Sequence, residues 1–146
     1  MSETSACPLC TGGGGRLVFA SKLFRVIHAE EAGFPAFYRV VWNAHVAEWS
    51  DLSAEERALC MEAVAEVERA MRETLSPTKV NLAALGNVVP HLHWHVIGRF
   101  EDDSHFPAPI WAAPLRARNL DREAVSKQSL AALEAELVQR LRARSL

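Results

Sequence analysis

His91-Leu92-His93-Trp94-His95-Val96-Ile97 is the stretch that decides the fold. Side chains alternate across a strand with period two. His91, His93 and His95 are therefore expected on one face, with Leu92, Trp94 and Val96 against a core. Alternate side chains on a strand face stand roughly 7 Å apart, from a rise of ~3.3 Å per residue. Three imidazoles at that spacing can divide the work around one phosphate, or around a phosphate and a metal. Imidazole titrates near neutral pH, so each can act as nucleophile, acid–base group or ligand. A merely solvated strand face would account for one such histidine. Three in register behind the Gly86-Asn87 turn point to chemistry.

On either side of this strand the pattern predicts an α+β domain. Residues 16–20 and 23–29 are short runs rich in Val, Ile, Leu and Phe and read as a hairpin. Residues 38–42 form a third strand, closed by Asn43-Ala44-His45. Ser53 with Glu56 three residues on is a capping-box signature. Leu59, Ala63, Val67, Ala70 and Met71 then recur at helical spacing until Ser76-Pro77. Residues 80–84 are a fourth strand and 92–100 the fifth. From Glu101 onward the prolines at 107, 109 and 114 predict an extended tail lying on the surface or on a partner chain. Leu130, Leu133, Leu137 and Leu141 mark one stripe of a last helix, which covers a core or a dimer interface. A single domain over 1–146 is expected, with its core at about 7–110 and an extension and helix at about 111–146.

The composition restricts function. A net charge of −2 argues against a nucleic-acid polymer as partner. No apolar run approaches the ~20 residues of a membrane span, and the first residues lack the features of a secretion signal. A cytoplasmic location is expected by default. Three cysteines without a secretion signal do not suggest a disulfide framework. Cys7 and Cys10 form a C-x-x-C pair, open to metal binding, to redox chemistry or to neither. Redox pairs commonly sit between a strand and a helix start, unlike this glycine-flanked position. Cys60 reads as helix packing. Gly12 to Gly15 lack the Gly-Lys-Ser/Thr ending of a phosphate loop and read as a flexible connector.

His-x-His-x-His followed by two apolar residues resembles the signature of the histidine triad family. Its relatives are nucleotide hydrolases, nucleotidyltransferases and the more distant galactose-1-phosphate uridylyltransferases. The resemblance extends to Arg39-Val-Val-Trp-Asn-Ala-His45 and to Val80-Asn81-Leu-Ala-Ala-Leu-Gly86-Asn87. It looks most like bacterial members that hydrolyse diadenosine polyphosphates. The resemblance implies a five-stranded antiparallel sheet with one long helix across it and a C-terminal helix. It implies a nucleotide hydrolase or nucleotidyltransferase that cleaves a phosphoanhydride or phosphoramidate bond through a nucleotidyl-histidine intermediate. His93 would be the nucleophile, and His95 would stabilise developing charge. Asn81 and Asn87 would position phosphate oxygens or the nucleoside; the family's ribose-binding Asp has no clean equivalent here, and Glu30 or Glu31 in the corresponding loop could accept from ribose hydroxyls. It also implies structural zinc on Cys7, Cys10, His45 and His91, no catalytic metal, and a homodimer. The chain departs from the family where Gln and then Ser or Thr are common, carrying Asn87 and Val88 instead. Asn87 is one methylene shorter than Gln, and Val88 cannot donate a proton. An alternative is therefore a nucleotide-binding regulatory module with weak or no catalysis.

Overall fold

The β-branched and aromatic runs pair into one antiparallel sheet with strand order β1-β2-β3-β5-β4. The strands are β1 Arg16–Ala20, β2 Phe24–His28, β3 Phe37–Trp42, β4 Lys79–Ala83 and β5 His93–Arg99. The structure is a computed structural model, and it describes residues 3–146. Two short helical turns, α1 Glu3–Ala6 and α2 Pro8–Thr11, precede the sheet. The long helices are α3 Ala54–Leu75, between β3 and β4, and α4 Leu120–Ala143 at the C-terminal end.

Register divides the sheet into two unlike faces. Val26 pairs with Val40, and Tyr38 with Val96, on the face turned to the helices. Phe24, Val26, Tyr38, Val40, Trp42, Val80 and Val96 are all buried there against Cys60, Ala63, Val64, Val67, Ala70 and Met71 of α3. The capping box is formed: the Ser53 side chain accepts from Glu56 N–H and the Glu56 carboxylate from Ser53 N–H. Helix α4 settles the reading of the leucine stripe. Leu133, Leu137 and Leu141 are fully buried in the same core, so the stripe serves this chain's own interior. Each such leucine contributes about 1.5–3 kcal/mol of apolar burial. Polar ties set the register of α4. Arg140 and Arg144 reach the buried carboxylate of Glu66 on α3, while Glu134 accepts from the Tyr38 hydroxyl at 3.0 Å and twice from Arg16.

Two boundaries differ from the sequence pattern for physical reasons. Helix α4 starts at Leu120, ten residues before the leucine stripe. Its first turns carry exposed Leu120 and Val125, so no apolar period marks them. The Asn119 side chain caps this end by accepting from Arg122 N–H. Strand β5 begins at His93, and His91 lies ahead of it in irregular chain with its ring buried.

The segment 100–118 is folded back on its own chain, and one buried ion pair organises it. The Arg99 guanidinium donates to both Asp103 carboxylate oxygens, to the Asn81 side-chain oxygen and to the Ala108 carbonyl. Asp103 in turn accepts from the backbone N–H groups of His105 and Phe106. Burial works to raise the Asp103 carboxyl, but these bonds outweigh it and hold the group below the ordinary range. The segment thus lies over the outer part of the second sheet face, where Ile110 meets Phe37 and Ile97. Among the described residues, no helix is long and apolar enough to cross a membrane.

Candidate active site and metal centre

The odd-numbered residues of β3 and β5 define the second face, with Val41 paired to His93 and Arg39 to His95. The N-terminal segment covers one part of it, packing Cys7 and Leu9 on Ile27 and Val41. Gly14 and Gly15 take part in this covering. A side chain at Gly15 would meet the His28 carbonyl at 2.5 Å, so close approach requires glycine there. This glycine run is therefore a fitted element as well as a connector. Between the N-terminal cover and the 100–118 segment the sheet face stays open, and a cavity of about 520 Å³ remains. That volume is in the range of a small-molecule site. His93, His95, Arg39, Asn87, Leu9, Gly14, Val88 and Trp111 all line it.

At one end of the histidine row four ligand atoms converge. The ligand atoms of Cys7, Cys10, His45 and His91 all lie within 4.8 Å of one another. His91 Nδ1 is 3.4 Å from each cysteine Sγ and 3.2 Å from His45 Nδ1, and Cys10 Sγ is 3.3 Å from His45 Nδ1. Tetrahedral ligands at Zn–S ~2.3 Å and Zn–N ~2.0–2.1 Å stand roughly 3.3–3.8 Å apart. These four separations are near that range, so the quartet could hold a metal ion. His91 Nε2 lies 2.6 Å from the Trp42 carbonyl oxygen and must carry the proton, which leaves Nδ1 free to ligate. Burial holds His91 below the ordinary imidazole range, which keeps that lone pair available.

His93 and His95 are oriented by different partners. His93 Nδ1 is 2.6 Å from the His91 carbonyl oxygen. The oxygen can only accept, so Nδ1 carries the proton and Nε2 keeps its lone pair. His95 Nδ1 accepts from Arg39 Nε at 3.4 Å, which puts the His95 proton on Nε2. One ring thus offers a nucleophilic nitrogen and the other an N–H donor, with ring centroids 4.8 Å apart. Burial lowers the affinity of both for a proton. For His93 the bond to His91 works against this, while the charge of Arg39 adds to it. For His95 the neighbouring His93 and Arg39 reinforce burial and push the group down to about 4. Both imidazoles are accordingly neutral at neutral pH.

The other expected residues divide. Asn87 lines the cavity with the two histidines. Asn81 is on the same sheet face, but its side-chain oxygen is taken by Arg99, and it borders a separate cavity beyond Trp111. Glu30 is not brought to the histidines. It lies in the exposed loop after β2 and borders another cavity, with Arg16, His28, Arg118 and Lys127. His28 bonds the Pro35 carbonyl through Nε2 and packs edge-on to Tyr38. Two residues of the site were not singled out in the sequence. Arg39 is the one charged residue of strand β3, Phe37–Trp42. The Trp111 ring packs edge-on to His95 at 5.2 Å, carried by a segment with no regular period.

Comparison with known proteins matches the sequence profile of the HIT domain to residues 14–102, more than half of the chain. The chain belongs to the HIT domain family. No curated protein matches the HIT chain. Among solved structures it is similar to a histidine triad protein from Bradyrhizobium japonicum, at 28% identity and a TM-score of 0.70 over 86% of this chain and 92% of that one. It is also similar to a histidine triad protein from Marinobacter aquaeolei VT8, at 26% identity and a TM-score of 0.67 over 86% and 92%. A Zn-bound histidine triad family protein from Mycobacterium smegmatis shares the fold at 21% identity, with a TM-score of 0.65 over 96% and 99%. The HIT match contains the histidine row, His45, Asn81, Asn87 and Arg39. Cys7, Cys10, Trp111 and α4 lie outside it.

Proposed function

We propose that this HIT protein is a nucleotide hydrolase or nucleotidyltransferase acting through a nucleotidyl intermediate on His93. The observation that carries this reading is the pair of contacts orienting the two rings, His93 Nδ1 to the His91 carbonyl oxygen and Arg39 Nε to His95 Nδ1. His93 Nε2 attacks the α-phosphorus in line, forming an N–P bond as the P–O or P–N bond to the leaving group breaks. The bond from His93 Nδ1 to the His91 carbonyl stabilises the imidazolium character that develops on the ring. His95 Nε2–H donates to a non-bridging oxygen, where negative charge accumulates. Water or another acceptor then displaces the imidazole from phosphorus. Asn87 is the amide within the cavity that can bond the leaving group. Dinucleoside polyphosphates, nucleoside phosphoramidates and adenylates are the candidate substrates. Cys7, Cys10, His45 and His91 hold zinc in this proposal. With four protein ligands the ion would supply structure rather than a coordination position for substrate.

Incubation with a fluorogenic adenylate and intact-protein mass measurement test the enzyme reading. A gain of one nucleotidyl group is expected, together with a loss of about 10⁴-fold or more in turnover for His93→Ala. Tight nucleotide binding with no adduct and no turnover would favour the binding module instead. The homodimer is also part of the proposal. Strand β4 is an outer strand with exposed Leu82, and Leu85 follows it, equally exposed. Sedimentation should give twice the monomer mass, and a purely monomeric species at micromolar concentration would reject it.

A further inference from the structure

The Arg39 guanidinium has a place that the proposed chemistry leaves unexplained. It lines the cavity beside His95, and its central carbon Cζ lies over the Phe37 ring, 5.1 Å from the centroid. Its hydrogen bonds are long and go to neutral acceptors: Nε to His95 Nδ1 at 3.4 Å, and a terminal nitrogen to the Gly14 carbonyl at 3.3 Å. Arg99 and Arg16, by contrast, are each clamped on a carboxylate. Arg25, Arg57 and Arg116 also bind uncharged oxygens, but none of them lines this cavity. The carboxylate of Glu31 acts on Arg39 only at longer range. Among the described residues a permanent cation thus faces a cavity without a salt-bridged anion, and a guanidinium edge is the strongest bidentate receptor for phosphate among side chains.

The position of that edge separates its ligand from the phosphate under attack. Arg39 sits on the Nδ1 side of His95, whereas the donor for the attacked group is Nε2–H on another edge of the same ring. We propose that Arg39 binds a second phosphate of the substrate, adjacent to the one His93 attacks, so that the site selects diphosphate-bearing molecules over monophosphates. The inference rests on the phosphate reading of the His93 site and narrows its substrate class.

Binding measured on a protein that cannot turn over separates the two ideas. In the His93→Ala background, calorimetric titration with inorganic pyrophosphate and with orthophosphate is the direct probe. Pyrophosphate should bind at least 10-fold more tightly than orthophosphate. Adding Arg39→Leu should weaken pyrophosphate by about 10- to 100-fold, the usual range for a lost charge-assisted pair, and orthophosphate by less than 3-fold. Arg39→Lys should restore part of the difference. Circular dichroism and metal content equal to the parent would show that the leucine variant folds. Equal losses for both anions would overturn the inference, because Arg39 would then serve the attacked phosphate. Pyrophosphate binding that survives Arg39→Leu would overturn it as well. Absence of all anion binding would reject it together with the phosphate reading. Selective pyrophosphate binding without any His93 adduct in the parent enzyme would uphold it while the catalytic proposal fails.

Discussion

The two faces of the sheet are built from the same strands and stabilised in opposite ways. The helix face is dry and continuous, with Leu133, Leu137 and Leu141 of α4 and the apolar stripe of α3 closing over it. The histidine face is covered by two pieces of irregular chain, one fastened at the Cys7–Cys10–His45–His91 cluster and the other at Arg99–Asp103. Apolar area dominates the first face, whereas two small apolar clusters and a few directional polar contacts hold the second. The open gap between the two fastened pieces is the cavity that His93 and His95 line. Regular packing gives a rigid platform, and pinned irregular chain gives a cavity whose walls have specific chemistry.

Removing the fastening should have the largest effect on this contrast. In Cys7→Ser with Cys10→Ser, about one equivalent of zinc should be lost. Stability should fall by on the order of 5 kcal/mol, since metal binding is linked to folding. Thermal unfolding and metal analysis check this, and a metal-free wild type of unchanged melting temperature would break the comparison on its histidine side. On the helix face, Leu137→Ala should cost about 2–5 kcal/mol through the cavity it leaves, a fall in Tm of roughly 10 °C for a chain of this size. Turnover per folded molecule should stay within about twofold of the wild type at 25 °C, because no catalytic group touches that face. A large drop in turnover would mean that the two faces are not separable.

A smaller effect is expected from acid. His95 is held at about 4 in the folded protein, mainly by burial, against about 6.5 in the unfolded chain. Below pH 6.5 the unfolded chain therefore takes up a proton that the folded chain refuses. The stability this provides is fully present above pH 6.5 and is lost as pH falls toward 4. Between pH 6.5 and 4.5 the wild type should lose about 2 kcal/mol more than His95→Gln. Parallel pH profiles for the two proteins would show that the ring is not buried as described.

The same contrast decides what could be read in the sequence. The helix face was legible because burial imposes a period, as along Leu59 to Met71 in α3. The leucines of α4 showed their stripe but not its target, since an amphipathic period is the same whether it meets its own core or a second chain. On the other face, the histidine row was legible from alternation on one strand, and the metal quartet from the C-x-x-C pair read with the family resemblance. Arg39 was not, because a single cation in an apolar strand looks like an edge position. Trp111 was hidden because the segment carrying it is organised by Arg99 and Asp103, whose pairing has no periodic signal. Glu30 lies in the expected loop after β2 and borders a cavity separate from that of His93 and His95.

His91 belongs to both halves of the site: its ring nitrogen faces the cysteines, and its backbone carbonyl holds the proton of His93. An ion on the ring and a charge developing on His93 would thus be separated by one residue's own covalent frame. A newly made chain without its ion would have the triad in its sequence but no fixed carbonyl against which to aim the nucleophile. Metal supply would then act as a maturation step, and the fraction of loaded protein would limit active enzyme regardless of how much chain is made.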